Sequence, residues 1–184
     1  MLFSALASAI LTLSSFTIAS PVQPRQTSQS NRFFLQTQVI PGINDCGTNK
    51  NGLFVFSYHT GAGLGAAAAE PQSDTDDWFF LNETDTGLYF SYTNNTIGPW
   101  PTTLEYGPYQ AFNPISISIA DGPATPGFFL NQTGLQSNQS EAGWLACDWW
   151  YSDPQIFALN GDRSGPLPTS CSKVNLIPIT LPAA

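Results

Sequence analysis

Gly143-Trp144-Leu145-Ala146-Cys147-Asp148-Trp149-Trp150-Tyr151, followed at once by Ser152-Asp153-Pro154-Gln155-Ile156-Phe157, places three tryptophans and a cysteine in one short apolar run. A turn closes it and a second run follows. Such a pairing builds the centre of a sheet protein's core. On a strand, Trp144, Ala146, Asp148 and Trp150 share one face, and Leu145, Cys147, Trp149 and Tyr151 the other. If Cys147 is buried in a disulfide, the second face is the core. Trp144, Asp148 and Trp150 then point to a second layer or a loop, or lie open as a sugar-stacking strip. These three are the candidate ligand-binding residues.

Strand-like runs extend in both directions. Phe33–Ile40 alternates and ends at Pro41-Gly42, and Leu53–His59 follows the turn pair Asn51-Gly52. Trp78–Leu81 and Leu88–Tyr92 flank a polar loop, as do Gly127–Leu130 and Leu135-Gln136, so each pair reads as a hairpin. Ile115-Ser116-Ile117-Ser118-Ile119 is the cleanest period of two, with isoleucines in and serines out. Gln155–Leu159 and Val174–Ile179 complete about nine short strands. Only Ala66-Ala67-Ala68-Ala69-Glu70 is helix-like, and 15 prolines oppose long helices. No internal repeat is evident. The expected fold is all-β: a single β-sandwich-like domain of antiparallel strands over residues 32–184.

The 184 residues suit one domain. Charged residues are 10% of the chain, against about 25% in an average domain, so Ser, Thr, Asn, Gln and Gly must cover the surface. Residues 2–16 are uncharged and break into Thr17-Ile18-Ala19, which reads as a signal peptide over residues 1–19. Residues 20–31 read as a disordered leader, with Pro24-Arg25 a weak processing signal. The tail from Val174 is too short and proline-rich for a lipid-anchor signal. A secreted protein, extracellular or in a cell wall, is expected, with no membrane association. Four N-x-Ser/Thr sequons, at Asn82, Asn94, Asn131 and Asn138, fit that address. The net charge of −8 and five scattered basic residues argue against a nucleic-acid partner.

Cys147 and Cys171 are expected to pair, closing a loop that stabilises the fold by about 3 kcal/mol on the chain-entropy model. Cys46 is left over in a turn-rich loop, free or paired with another molecule; its pairing with one of the other two is the alternative.

Candidate chemistry is sparse. Gly61-Ala62-Gly63-Leu64-Gly65-Ala66 matches a dinucleotide-binding pattern but lacks βαβ context, and reads as a flexible glycine loop. Ser73-Asp74-Thr75-Asp76-Asp77 lacks the glycine and distal glutamate of a calcium loop. His59 is the only histidine and reads as structural at a strand end, with no nucleophile elbow to serve. Asp148 and Asp153 lie among aromatics, as glycosidase acids do, but nothing makes them face each other. No cofactor and no metal are expected.

The stretches Gly127–Gln136, Gly143–Trp150 and Pro154–Phe157, with Tyr58–Gly63 and Ser170-Cys171, resemble a family of small secreted fungal proteins of unknown function over most of residues 32–180. More distantly, Trp144-Leu145-Ala146-Cys147 with Pro154-Gln155-Ile156-Phe157 is similar to the C-terminal part of phiA-type and Pir-type fungal cell-wall proteins. The glutamine-bearing repeats by which Pir proteins attach to glucan are missing. The resemblance implies no catalytic residue. The expected role is a non-catalytic extracellular or cell-wall-associated protein, with cell-wall polysaccharide or an extracellular protein as partner. The alternatives are a carbohydrate-binding module and a glycan-directed hydrolase.

Overall fold

A computed structural model describes residues 32–41, 47–72, 77–92, 98–105, 107, 110–161 and 166–180. The segments expected to be a signal peptide and a leader, with Cys46, Asn94 and most of the Ser73–Asp77 loop, lie outside the described residues. Among those described there is no α-helix. Twelve strands form: β1 (Phe33–Val39), β2 (Phe54–Gly61), β3 (Leu64–Glu70), β4 (Asp77–Leu81), β5 (Leu88–Tyr92), β6 (Trp100–Leu104), β7 (Phe112–Ile117), β8 (Phe128–Asn131), β9 (Gly134–Ser137), β10 (Trp144–Cys147), β11 (Gln155–Leu159) and β12 (Cys171–Thr180). The all-β antiparallel class read from the sequence is the one found, with twelve strands in place of about nine.

Ten strands make one antiparallel sheet in the order β10-β12-β1-β2-β3-β11-β7-β6-β5-β4, and further pairings β10–β11, β1–β4 and β3–β7 close it on itself. One edge of β1 runs along β12 for its whole length. Its other edge is shared, with Phe33 opposite Phe79 of β4 and Gln36 opposite Phe54 of β2. Closure leaves few unpaired edges, which is how β proteins avoid edge-to-edge association.

Alternation fills the interior. Phe33, Leu35, Val55, Phe79, Phe90, Ile115, Ile117, Ile156, Val174 and Leu176 point into one core. The separate β8–β9 hairpin plugs this core with Phe128 and Leu135. Phe128 stacks parallel to Trp144, and the Trp144 Nε1–H donates to the Leu135 carbonyl at 2.7 Å. A void of about 10 Å³ in this core is lined by side chains such as Leu35, Phe79 and Trp144. It has room for one water at most.

The structure corrects several sequence expectations. Ala66–Glu70 is strand β3, since small residues let β3 lie close to its neighbours: a Cβ on Gly65 would sit 2.2 Å from Ser57 Oγ and 2.6 Å from the Ile117 carbonyl. The Gly61–Ala66 segment, read as a flexible loop, is the end of β2, a tight turn at Ala62-Gly63 and the start of β3. Ile115 and Ile117 are buried as expected, but Ser116 and Ser118 are buried too. Their hydroxyls donate to the carbonyls of Gly65 and Gly63, which satisfies them inside the protein. Ile119 is exposed, because Ser118 caps a single 3-10 turn, Ile119–Asp121, that ends the alternation.

β10 ends at Cys147 and is buried on both faces. Trp144 and Ala146 face the main core. Leu145 and Cys147 face a smaller cluster with Leu159 and Cys171. The first face, not the cysteine face, therefore carries the principal core.

Candidate functional site

Beyond Cys147 the backbone leaves the ladder. The Asp148 N–H bonds the Ser170 carbonyl at 2.8 Å, and the Ser152 N–H bonds the Trp149 carbonyl at 3.1 Å to close a tight turn. Ser152 accepts a φ of 81° to complete it. The turn displays three consecutive rings. Trp150 and Tyr151 have centroids 3.6 Å apart, and Trp149 meets Tyr151 edge-on at 4.5 Å.

Strand β2 extends this cluster across the sheet. Its inward residues are Val55 and Ser57, so Phe56 and Tyr58 face outward. Tyr58 lies 5.3 Å from Trp149 and 5.0 Å from Tyr151, and Phe56 lies 6.1 Å from Tyr58. Across the ladder from Tyr58 and Phe56 stand Ala66 and Ala68, whose single methyls raise no wall beside the rings. The result is an aromatic ledge. Its outermost ring, Trp150, is 78% exposed. With the half-exposed rings beside it, Trp150 makes a contiguous aromatic patch, and such patches mark interaction surfaces.

The ledge stands on two fixed supports. Cys147 and Cys171 are directly opposite on β10 and β12 and are joined by a disulfide. One residue on, Asp148 is held by the loop before β2. Lys50 Nζ lies 3.0 Å from Asp148 Oδ1, and the Thr48 hydroxyl and N–H donate to the same oxygen. Lys50 also donates to the Thr48 carbonyl at 2.9 Å. Its side chain is fully buried, and a buried ammonium persists only with such a partner. Gly47 has a φ of +103°, and a Cβ there would lie 1.9 Å from Asp148 Oδ2, so glycine is needed for both reasons. Burial pushes the Asp148 carboxyl up, but the hydrogen bonds from Thr48 and Lys50 and the Lys50 charge outweigh it and hold the group below the usual carboxylate range.

The candidate triad is thus divided. Trp150 is on the surface. Trp144 is 1% exposed, with its N–H spent on Leu135, so it is no part of any open strip. Asp148 is only partly open and is paired with Lys50. His59 is exposed at the end of β2. Among the described residues no three His, Cys, Asp or Glu side chains gather to hold a metal, and no helix is long and apolar enough to cross a membrane.

Sequence reasoning missed Trp149, Tyr151, Tyr58 and Phe56 as surface rings, and Lys50 and Thr48 as their support. The outward alternation of β2 was the available signal for Phe56 and Tyr58. Lys50 carried only the hint of a rare charge in a polar loop.

A family model described as a domain of unknown function, DUF7907, matches residues 30–180. The chain belongs to this family. No curated protein and no solved structure matches it. The matched span of the DUF7907 domain includes all twelve strands, the ledge and its supports.

Proposed function

We propose that this DUF7907 protein is a secreted, non-catalytic, cell-wall-associated protein that holds wall polysaccharide on the Trp150 ledge. The observation that carries the reading is the largely exposed Trp150 ring stacked on Tyr151 and backed by Trp149 and Tyr58. Pyranose rings present an apolar face of C–H groups, and aromatic faces carry negative potential toward such groups. The open face of Trp150, held on a disulfide-anchored turn, meets a sugar ring with little ordering cost.

Further support comes from the sequence. The uncharged run 2–16 and the four sequons fit secretion. The resemblance to small secreted fungal proteins and, distantly, to phiA-type and Pir-type wall proteins fits the wall. Without glutamine-bearing repeats, the attachment is non-covalent. The ion pair that occupies Asp148 favours binding over hydrolysis.

The test is retention of the secreted protein on insoluble chitin, β-glucan and whole walls, beside the Trp150→Ala variant. Retention on at least one polysaccharide, lost in the variant, supports the reading. Failure to bind any of the three sinks it.

A further inference from the structure

Although no long internal repeat is evident, one short sequence motif recurs at the entry to two hairpins. Phe79-Phe80-Leu81-Asn82-Glu83-Thr84 leads from β4 into the turn before β5, and Phe128-Phe129-Leu130-Asn131-Gln132-Thr133 leads from β8 into the turn before β9. In both copies the first phenylalanine is buried in the core. The second phenylalanine and the asparagine, two residues apart, then lie on the opposite, outer face. In both, the asparagine Oδ1 accepts the threonine N–H, at 2.9 Å for Asn82 and 2.8 Å for Asn131.

The copies differ around the ring and the amide nitrogen. Phe80 stands opposite Tyr89 and is stacked on it, with centroids 5.4 Å and planes 18° apart. Phe129 stands opposite Gln136, is 42% exposed, and has no ring against it among the described residues. Asn82 Nδ2 donates to Asp85 Oδ2. Asn131 is exposed, and its Oδ1 takes both the N–H and the hydroxyl of Thr133, while its Nδ2 makes no hydrogen bond among the described residues. One hairpin has covered its ring with protein, and the other leaves ring and nitrogen open side by side.

We propose that Asn131 carries an N-linked glycan whose first N-acetylglucosamine packs its apolar face on the Phe129 ring. Modification forms a bond from Asn131 Nδ2 to the anomeric carbon of a lipid-diphosphate-linked oligosaccharide. The bond from that carbon to the diphosphate oxygen breaks, the lipid diphosphate leaves with the electron pair, and one amide proton is lost. The attached sugar then takes the place that Tyr89 holds over Phe80, and covers an apolar ring that otherwise meets water. A glycan on Asn82 has no free ring face to meet and stabilises nothing in this way.

This inference rests on the secretion part of the proposed function but not on polysaccharide binding. The experiment uses the full chain secreted from a eukaryotic host, with N-terminal sequencing, glycopeptide mass spectrometry and glycans trimmed to one N-acetylglucosamine. Asn131→Gln and Asn82→Gln are compared with the parent, each with Phe129 intact and in a Phe129→Ala background. Asn131 should be occupied, and Asn131→Gln should lower Tm by about 2–4 °C, a typical shift for one modest contact in a domain of this size. That loss should vanish in the Phe129→Ala background, as coupled neighbours require, while Asn82→Gln shows no such coupling. Sugar-ring protons of the Asn131 residue should show an upfield ring-current shift that Phe129→Ala abolishes. A processed N-terminus with Asn131 unmodified overturns this proposal alone. So does an equal Tm loss in both backgrounds. An intact Met1 with every sequon empty overturns the secretion reading, and this proposal with it.

Discussion

Lys50 Nζ lies 3.0 Å from Asp148 Oδ1, and this ion pair fastens the loop before β2 to the base of the aromatic turn. The residues are distant in sequence, and only closure of the sheet brings them together. Asp148→Ala takes a carboxylate partner from a fully buried ammonium. It should cost about 3 kcal/mol, the lower end of the range for a broken buried pair, because Asp148 itself is partly open to water. Lys50→Met should cost less, since it removes the buried charge and leaves a carboxylate that solvent can reach. Urea unfolding of the two variants compares them; equal losses would mean that the pair is not desolvated.

The same pair sets an acid limit. The Asp148 carboxyl titrates below its unfolded value, so its contribution is fully present above about pH 4, the ordinary carboxylate range. It is lost as the pH falls from there through the depressed folded value. The Tm difference between the parent and Asp148→Asn should therefore be constant from pH 7 to about pH 5 and shrink below about pH 4. A difference independent of pH down to pH 2 would show that the Asp148 charge does not contribute.

Trp144 and Trp150 lie six residues apart and should respond in opposite ways. Trp144→Ala removes a buried ring and one of the two hydrogen bonds to the Leu135 carbonyl, at a cost of about 3–5 kcal/mol. Trp150→Ala touches an exposed ring and should change stability by less than about 0.5 kcal/mol. Thermal unfolding separates them, and a large loss at Trp150 would mean the ring packs where the structure leaves it open.

Ile117→Ala should cost about 2–5 kcal/mol through lost transfer energy and a residual cavity. Ser116→Ala should also be felt, at about 1 kcal/mol, because its buried hydroxyl is shared between the Gly65 carbonyl and the Asp121 carboxylate. Denaturant midpoints read both. A silent Ser116 would indicate that the Gly65 carbonyl finds another donor.

These contrasts show what the sequence reveals and what it hides. Phe33–Val39 is legible because one face is core and the other is not. Ala66–Glu70 is not, because alanine favours a helix in isolation and pairing with β2, β11 and β7 makes it a strand. Extending the alternation of β10 through Tyr151 misplaces Trp149 and Tyr151, since the strand stops at Cys147 and a turn resets which way each ring points. Trp150 is legible as a surface candidate, and Trp144 is misread because the faces of β10 are both buried. Lys50 has no local pattern at all; its meaning lies in a partner supplied by the fold. The Phe-Phe-Leu-Asn-x-Thr repeat is too short to stand out until both copies are seen entering hairpin turns.

The proposed role of Trp150 and its neighbouring rings is to hold wall polysaccharide. Its test is the binding isotherm of the secreted protein on the insoluble polysaccharide that retains it, compared with Trp150→Ala at matched Tm. At least a tenfold loss of affinity, about 1.4 kcal/mol, is expected from a substitution at this exposed ring. An isotherm unchanged by Trp150→Ala would contradict it.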